Sequence, residues 1–388
     1  MKATPQEVSV ATGILQWARE TIGKRIEDVS KRLDISSTLV EKWENGDKNP
    51  TLKQLRELAT FYKRPLAVFF LPLPPLEDPL PADFRTLPGN TSKPFSDKTL
   101  LALRRARRIQ SLADDLNKSI RNEPCLIIGH ATLSDDPTVL ATQVREKLKI
   151  TTDIQFKWKD SITALNEWKH SIEECGTLVF ELPFPMDDGR AFSFADADPP
   201  VIVLNSHDAV NGRIFSLFHE YGHLLIGHGG ICNLNEESGN EELFCNQFAG
   251  ELLVPLLAIS NLTTVQTHAT RIKWDDNILQ QIAEQFKVSC EVILRRLLTI
   301  GQTTENFYVE KRDEWNRLQS IPRRGRWSPD KQAKQCVRQN GIPFTSLVLE
   351  SARLEKITYR DVSDYLATSL KHLPKVESLV REERARYG

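Results

Sequence analysis

The sequence predicts a mostly helical α+β protein that is divided into several domains. Three observations support this fold class. In the first 72 residues, apolar side chains recur at the spacing of short helices that are separated by turns. Six of the seventeen residues from Pro72 to Pro88 are proline, which predicts a stiff linker between two folded parts. Further on, residues 191–195 and 200–205 are rich in β-branched and aromatic residues and predict a small sheet.

Length and composition are typical of a multidomain protein that needs no membrane. The chain has 388 residues, of which 40% are hydrophobic, enough for about two to four domains. No run of about 18 apolar residues occurs, and the first residues lack the pattern of a cleavable signal, so a cytoplasmic location is expected. The six cysteines include no Cys-x-x-Cys pair, which argues against a disulfide scaffold or a cysteine-based zinc site.

The net charge is −1, but basic residues are concentrated at the two ends. Lys and Arg outnumber Asp and Glu by twelve to nine in residues 1–72 and by seventeen to ten in residues 311–388. The stretch between them is acidic. This distribution permits nucleic-acid contact at the ends, although solvated charged helices are its commoner meaning.

Four short helices are predicted in the first 72 residues, at Ile14–Ile22, Ile26–Leu33, Leu39–Trp43 and Leu52–Tyr62. Capping residues support these boundaries. Ser36 is an N-cap for the third helix, and Gly46 permits a left-handed turn after it. Thr51 and Gln54 have the spacing of a capping box that opens the fourth helix.

The segment from Ile35 to Pro50, Ile-Ser-Ser-Thr-Leu-Val-Glu-Lys-Trp-Glu-Asn-Gly-Asp-Lys-Asn-Pro, resembles the helix-turn-helix of the Xre/Cro repressor family. The resemblance implies that the helix from Ser36 enters the major groove of duplex DNA, with Val40 and Trp43 in the core. The candidates for base or phosphate contact are Ser37, Thr38, Glu41 and Lys42.

A second interpretation of this segment is a domain that keeps the fold but docks a protein or forms a homodimer. Glu41 favours it, because its negative charge would lie where phosphates approach. Ile26 favours it too, since this side chain cannot donate a hydrogen bond to a phosphate.

Residues 96–149 are predicted to be largely helical and include the basic stretch Arg104-Arg105-Ala-Arg107-Arg108. A solvated helix face is the favoured interpretation of this stretch, and nucleic-acid contact is the alternative. Trp158 and Trp168 are expected in a further helix, as core residues.

The strand-like runs 191–195 and 200–205 predict a hairpin. His207 and Asp208 follow the second strand. They are expected in a surface loop, and the alternative is that they approach a metal site.

The motif His219-Glu-Tyr-Gly-His223 is the most informative feature of the chain. Residues four apart lie on one face of a helix, so His219 and His223 can bind one metal ion. Glu220 lies beside them, where its carboxylate can take a proton from water as a general base. Hydrolytic zinc sites have three protein ligands and an open position for water, so the motif predicts a zinc hydrolase with one further ligand.

The third ligand is expected in residues 240–253, which predict a second helix. Glu242 opens this helix, and Asn246 lies one turn later on the same face, where its amide can hydrogen-bond a ligating imidazole. Glu242 is therefore favoured. A metzincin would need Gly and His where the chain has Ile226 and Gly229, which excludes that class. The other candidates downstream are His228, Cys232, Glu236, Glu237, Glu241 and Cys245.

The helix from Arg213 to His223, followed by Glu242-Leu-Phe-Cys-Asn-Gln-Phe-Ala-Gly-Glu-Leu-Leu-Val-Pro255, resembles the ImmA/IrrE family of zinc metallopeptidases. The resemblance implies a zincin-like fold and a gluzincin-like endopeptidase whose edge strand lies over the active helix and can pair with an extended substrate. It also implies that Zn²⁺ is held by His219, His223 and Glu242, with Glu220 as the base.

The whole architecture resembles proteins in which an Xre-type domain is fused to such a peptidase. The predicted domains are a helix-turn-helix domain (1–72), a proline-rich linker (73–95), a zinc metallopeptidase (96–260), a helical module resembling a helix-turn-helix (261–310) and a basic extension (311–388). In the helical module, Ser289 is expected to cap the second of two helices, Ile278–Phe286 and Cys290–Leu298. In the extension, Thr358 is expected to open a helix, and Arg323–Arg326 to form an exposed loop.

The resemblance implies a narrow protein substrate, commonly a repressor or an antitoxin with its own helix-turn-helix. The expected function is therefore a site-specific zinc metalloprotease of a stress or mobile-element response, with duplex DNA as a further partner. Two alternatives are a DNA-binding transcriptional regulator whose peptidase domain is dormant, and a component of a toxin–antitoxin module.

Overall fold

The computed structural model describes residues 7–75, 95–120, 130–227, 231–232, 239–268, 272–318 and 330–387. These residues form two compact units. The boundary between the units falls between Arg104 and Arg105, inside one helix. The architecture is mostly helical with one small sheet, as predicted.

The N-terminal unit is all helical. Its elements are α1 (Ile14–Glu20), α2 (Ile26–Leu33), α3 (Ser37–Asn45), α4 (Leu52–Phe61) and a 3-10 turn (Leu66–Phe70). The predicted N-cap is confirmed, because Ser36 Oγ accepts a hydrogen bond from the Leu39 amide at 3.2 Å. The capping box is confirmed as well, since the Gln54 amide donates to Thr51 Oγ1 at 3.3 Å and the Thr51 amide donates to Gln54 Oε1 at 2.9 Å. Gly46 has φ +80°, the predicted left-handed turn.

The interior of this unit combines apolar packing with one buried ion pair. Val40 and Trp43 are buried in the core, as predicted. Arg19 on α1 donates to both carboxylate oxygens of Glu44 on α3, at 2.7 and 2.8 Å. A bidentate pair of this kind fixes the position of α3 against α1.

The helix α5 (Asp97–Ile120) begins in the N-terminal unit and continues into the C-terminal unit. The further helices are α6 (Pro137–Lys147), α7 (Thr152–Lys157), α8 (Ser161–Glu174), α9 (Val210–Leu225), α10 (Asn240–Leu253), α11 (Leu256–Ser260), α12 (Thr263–His268), α13 (Asp276–Phe286), α14 (Cys290–Thr299), α15 (Glu305–Leu318), α16 (Lys331–Asn340), α17 (Ile342–Arg353), α18 (Tyr359–Tyr365) and α19 (Leu373–Tyr387). Short 3-10 turns lie at Met186–Asp188 and Leu370–His372.

The sheet has the strand order β1-β3-β2-β4. Its strands are β1 (Leu178–Leu182), β2 (Ala191–Phe194), β3 (Val201–Asn205) and β4 (Ile231–Cys232). β2 and β3 are antiparallel, which confirms the predicted hairpin, while β1 is parallel to β3 and β4 is antiparallel to β2. The strand β1 was not predicted, because all five of its residues are buried and their sequence shows no alternation of apolar and polar side chains. The strand β4 was not predicted either, because two residues are too few to show a period.

The helix α9 packs against this sheet and against α8. The Trp168 ring meets the Phe218 ring edge-on at 4.8 Å and the Trp158 ring edge-on at 5.1 Å. Both tryptophans are core residues, as expected. The single helix predicted for them is wrong, since Trp158 follows the end of α7 and only Trp168 lies in α8. Asp160 interrupts the pattern as the N-cap of α8, with its side chain bound to the Thr163 amide.

The favoured interpretation of the basic stretch on α5 is wrong for Arg107. Ala106, Arg107, Gln110 and Ala113 recur at helical spacing and are all buried, so Arg107 lies on the packed face of the helix. Its guanidinium group donates to both carboxylate oxygens of Asp196, at 2.7 and 2.9 Å. Arg108 is the one arginine of the stretch that is exposed, and Arg104 and Arg105 are half-buried.

The helices after the sheet close the same core. The predicted pair α13 and α14 is confirmed, and Ser289 Oγ accepts a hydrogen bond from the Val292 amide at 3.3 Å. Apolar residues of both helices belong to the core that contains α9. In the C-terminal extension, Thr358 caps α18, as predicted. Arg323–Arg326 lie outside the described residues.

The extension is anchored by polar contacts to the body of the C-terminal unit. Arg338 Nε lies 4.0 Å from Glu181 Oε2 on β1, and Arg105 donates to Asn340 Oδ1 at 3.1 Å. Within the described ranges, no helix has both the length and the apolar composition that crossing a bilayer requires.

Candidate metal centre

The helices α9 and α10 approach each other closely at Gly222. A Cβ atom at this position would lie 3.1 Å from Cys245 Sγ and 3.3 Å from a ring carbon of Phe248, which is tighter than ordinary contact. A glycine is therefore what allows the two backbones to come together. The approach places the face of α9 that carries His219 and His223 opposite Glu242 on α10.

The side chains of His219, His223 and Glu242 converge on one point. His219 Nε2 lies 3.2 Å from Glu242 Oε2, and His223 Nε2 lies 3.4 Å from Glu242 Oε1. The two Nε2 atoms are 3.2 Å apart. The ligand atoms of these three side chains all lie within 4.8 Å of one another. Among the residues that the structure describes, no other cluster of three or more His, Cys, Asp or Glu side chains could hold a metal ion.

The donor atoms fit a divalent zinc ion. Two imidazole nitrogens and one carboxylate oxygen form the ligand set of catalytic zinc sites, which leave a fourth position open. His219 is fully buried, whereas the Glu242 side chain is 22% exposed. The site therefore reaches solvent on the side of α10, which gives an ion and a substrate access.

Asn246 orients the buried imidazole. Its Oδ1 atom lies 3.1 Å from His219 Nδ1, one helical turn beyond Glu242. An amide oxygen can only accept, so Nδ1 carries the proton and the lone pair of Nε2 points toward His223 and Glu242. This is the contact for which Asn246 was singled out in the sequence.

Burial and hydrogen bonding set the protonation of the ligand set. Burial lowers the pKa of His219, and the neighbouring His223 lowers it further, which favours the neutral imidazole that metals bind. Burial would raise the pKa of Glu242, but the close approach of His219 and His223 outweighs burial and holds this pKa well below its usual range. At neutral pH the site thus offers a neutral ring nitrogen at His219 and a carboxylate at Glu242.

Glu220 lies on the same turn and is fully buried. Ser193 on β2 donates its hydroxyl proton to Glu220 Oε2 at 2.7 Å, and Ser193 is fully buried as well. Ser193 was not among the predicted site residues. The one signal for it was the predicted strand 191–195, in which Ser193 is a polar residue flanked by phenylalanines.

Two family models match parts of the chain. Residues 172–298 match the family model described as the IrrE N-terminal-like domain, of the M78 peptidases. Residues 15–69 match the family model described as a helix-turn-helix. The chain carries a helix-turn-helix domain followed by an IrrE N-terminal-like domain. The predicted resemblance is therefore confirmed. A comparison with curated proteins found no match.

The match to the IrrE N-terminal-like domain includes β1 to β4, both site helices and the pair α13–α14. The C-terminal extension lies outside both matches. The predicted domain boundaries remain predictions.

His207 and Asp208, for which a metal contact was the alternative to a surface loop, both have partners elsewhere. His207 Nδ1 lies 3.0 Å from the Phe184 carbonyl oxygen. Asp208 accepts from Arg190 at 3.1 Å and from the Ala209 amide at 2.7 Å. His207 is exposed, as the surface-loop interpretation expects, whereas the surface expectation is wrong for Asp208, which lies in the same loop but is buried because its carboxylate binds Arg190 and the Ala209 amide. Of the other ligand candidates, His228, Glu236 and Glu237 lie outside the described residues.

The helix-turn-helix domain presents its candidate residues on α3. Thr38, Glu41 and Lys42 are exposed and Ser37 is half-buried, on the face opposite the buried Val40 and Trp43. These four side chains are thus available to a partner.

Proposed function

We propose that this protein is a zinc-dependent endopeptidase. The observation that carries the proposal is the convergence of His219, His223 and Glu242 within 4.8 Å of one another, beside the buried carboxylate of Glu220. The match to the IrrE N-terminal-like domain supports it, because this domain belongs to a metallopeptidase family.

In this proposal His219, His223 and Glu242 hold the ion. A bound zinc ion would lower the pKa of a water molecule and polarise the scissile carbonyl group. Glu220 accepts the proton of the attacking water and delivers it to the leaving amine. Asn246 keeps the proton of His219 on Nδ1, so that Nε2 remains a ligand. No covalent enzyme intermediate is needed.

The proposed substrate is a regulatory protein, a repressor or an antitoxin, that is cleaved at one site in a stress or mobile-element response. The helix-turn-helix domain supports this assignment, since such a domain can bring the peptidase to duplex DNA on which a repressor is bound.

Zinc content by elemental analysis, on protein purified without chelator, tests the metal site. We expect about one zinc per chain in the wild type and a sharp fall in Glu242→Ala. Glu241→Ala is the matched control, because Glu241 neighbours Glu242 on the same helix and does not belong to the convergent group. A wild-type protein that contains no zinc would contradict the proposal.

Cleavage by the Glu220→Gln variant tests the base. We expect this variant to keep its zinc and to lose cleavage of helix-turn-helix repressors or antitoxins encoded by neighbouring genes. Retained cleavage would exclude Glu220 as the base.

A second candidate function is a DNA-binding regulator in which the peptidase is dormant. The exposed Thr38 and Lys42 on a helix capped by Ser36 favour it. Duplex binding should then weaken steeply with salt, and Lys42→Ala should reduce the slope of log affinity against log salt by about one. Normal zinc content together with no cleavage of any candidate repressor would favour this function over the first.

A further inference from the structure

We propose that Ser193 is a positioning residue that holds the Glu220 carboxylate in the orientation in which it accepts a proton. The inference rests on the proposed function, because it assigns a partner to the proposed base.

The geometry is that of a directed, enclosed hydrogen bond. Ser193 Oγ donates to Glu220 Oε2 at 2.7 Å, and neither side chain is exposed. The two residues are 27 positions apart, on β2 and α9, so the contact is a product of tertiary packing. A hydrogen bond to a charged acceptor in a buried site is stronger than an exposed one.

The Ser193 hydroxyl gives the two oxygens of the Glu220 carboxylate different roles. Oε2 is held by Ser193, while Oε1 of the same group is also buried. With Oε2 anchored, the carboxylate cannot rotate freely about its last bond. Oε1 is thereby kept in one position and is the oxygen that we assign to proton transfer.

Ser193 is itself held in place through the far end of β2. Arg107 on α5 lies with its guanidinium carbon 4.3 Å from the ring centroid of Phe194, the next residue, and pairs with Asp196. Gln110, one turn later, donates to the carbonyl oxygens of Ala197 and Pro199, both at 2.9 Å. These contacts fix the turn after β2.

A buried serine can also be purely structural, with Glu220 as a convenient acceptor. The two roles differ in a measurable way. If Ser193 is only structural, loss of its hydroxyl should have the same effect with and without the Glu220 carboxylate. If Ser193 positions Glu220, the loss should have an effect only when Glu220 is present.

The test uses the full-length protein loaded with Co²⁺ in place of zinc, with acetohydroxamate as the probe. Co²⁺ reports its binding through visible absorption, and a hydroxamate binds the metal while its acidic proton passes to the neighbouring carboxylate. The variants are Ser193→Ala, Ser193→Thr, Glu220→Ala and the double variant Ser193→Ala with Glu220→Ala.

We expect Ser193→Ala to bind Co²⁺ as the wild type does and to bind acetohydroxamate about tenfold more weakly, which is typical for the loss of an outer partner in a metal site. Ser193→Thr keeps the hydroxyl and should restore most of the affinity. In the Glu220→Ala background, Ser193→Ala should have no further effect.

Two results would overturn the inference. One is undiminished acetohydroxamate affinity in Ser193→Ala; the other is an equal loss with and without Glu220. A wild-type protein that binds no Co²⁺ would instead overturn the proposed function, and the role of Ser193 with it.

Discussion

The two compact units differ in where they keep their charged groups. In the described part of the N-terminal unit, the buried charged side chains are Arg19 and Glu44, which pair with each other, and the candidate DNA contacts on α3 face outward. In the C-terminal unit, charged and titratable groups enter the interior, among them Lys169, Glu181, His219, Glu220, Glu251 and Arg296.

The two units therefore differ in how tightly the fold constrains their charged side chains. Buried polar groups need partners, so each one in the C-terminal unit constrains the position of its neighbours. An exposed side chain such as Lys42 is under no such constraint. The site geometry is therefore informative in the C-terminal unit, and the interior of that unit should be the more sensitive to mutation.

The largest effect is expected at Arg296, which pairs with Glu251 and donates to the Val254 carbonyl oxygen at 3.0 Å. Arg296→Ala leaves Glu251 as an uncompensated buried charge and should lower the free energy of unfolding by about 3–5 kcal/mol. Lys42→Ala in the N-terminal unit is the contrast and should change it by less than about 0.5 kcal/mol. Denaturant unfolding measures both.

Replacing both members of this pair with apolar residues, Arg296→Met with Glu251→Leu, should recover much of the loss. If Arg296→Ala lowered the free energy of unfolding as little as Lys42→Ala does, the interior of the C-terminal unit would not be the more sensitive to mutation.

The next effect is expected on removal of the metal. At free zinc about 100 times its dissociation constant, chelation should lower the stability of the C-terminal unit by about 2.7 kcal/mol. The N-terminal unit should not respond. Hydrogen–deuterium exchange resolves the two units, and the expected signature is faster exchange around α9 and α10 alone. Faster exchange in α1 to α4 as well would show that the units do not respond independently.

A pH effect is expected from Glu173 on α8. Burial raises the pKa of Glu173 from 4.5 to about 8, although the charge of Lys169 opposes this shift. The folded protein therefore holds a proton that the unfolded chain releases above about pH 4.5. Stability should fall as the pH rises from about 4.5 to 8, by roughly 2 to 5 kcal/mol.

Glu173→Gln should flatten this dependence, and denaturant unfolding at pH 5 and pH 8 measures it. Glu174→Gln, at the exposed neighbouring residue, is the control and should leave the dependence of stability on pH unchanged. An unchanged slope in Glu173→Gln would assign the effect to another group.

The smallest effect concerns a feature that the two units share. Ser36 and Ser289 cap α3 and α14 through the same hydrogen bond, at 3.2 and 3.3 Å. Ser36→Ala and Ser289→Ala should each cost about 1 kcal/mol of stability, because capping is local and does not depend on the interior. Thermal unfolding with exchange analysis compares them. A much larger cost at Ser289 would mean that its helix depends on the cap for packing.

Local features of the fold were predictable from the sequence. The caps at Ser36, Thr51, Ser289 and Thr358 are confirmed, since a cap involves side chains within three residues of the backbone they bind. Helical spacing likewise predicted that α10 would carry Glu242 and Asn246 on one face, and the structure places both beside His219.

Contacts between distant elements were not predictable in this way. Arg107 was expected in solvent because a run of arginines normally is, yet α5 turns it toward Asp196, 89 residues away. The strand β1 has no alternating pattern because both of its faces are buried.

The sequence by itself determined that His219, Glu220 and His223 share one helical turn, because the period of an α-helix is set by the backbone alone. Tertiary structure decided what surrounds that turn. Gly222 admits α10 and thereby brings Glu242 to the two histidines, and β2 brings Ser193 to Glu220. Such contacts depend on how whole helices and strands pack against one another, and the spacing of residues within one helix or strand does not predict them.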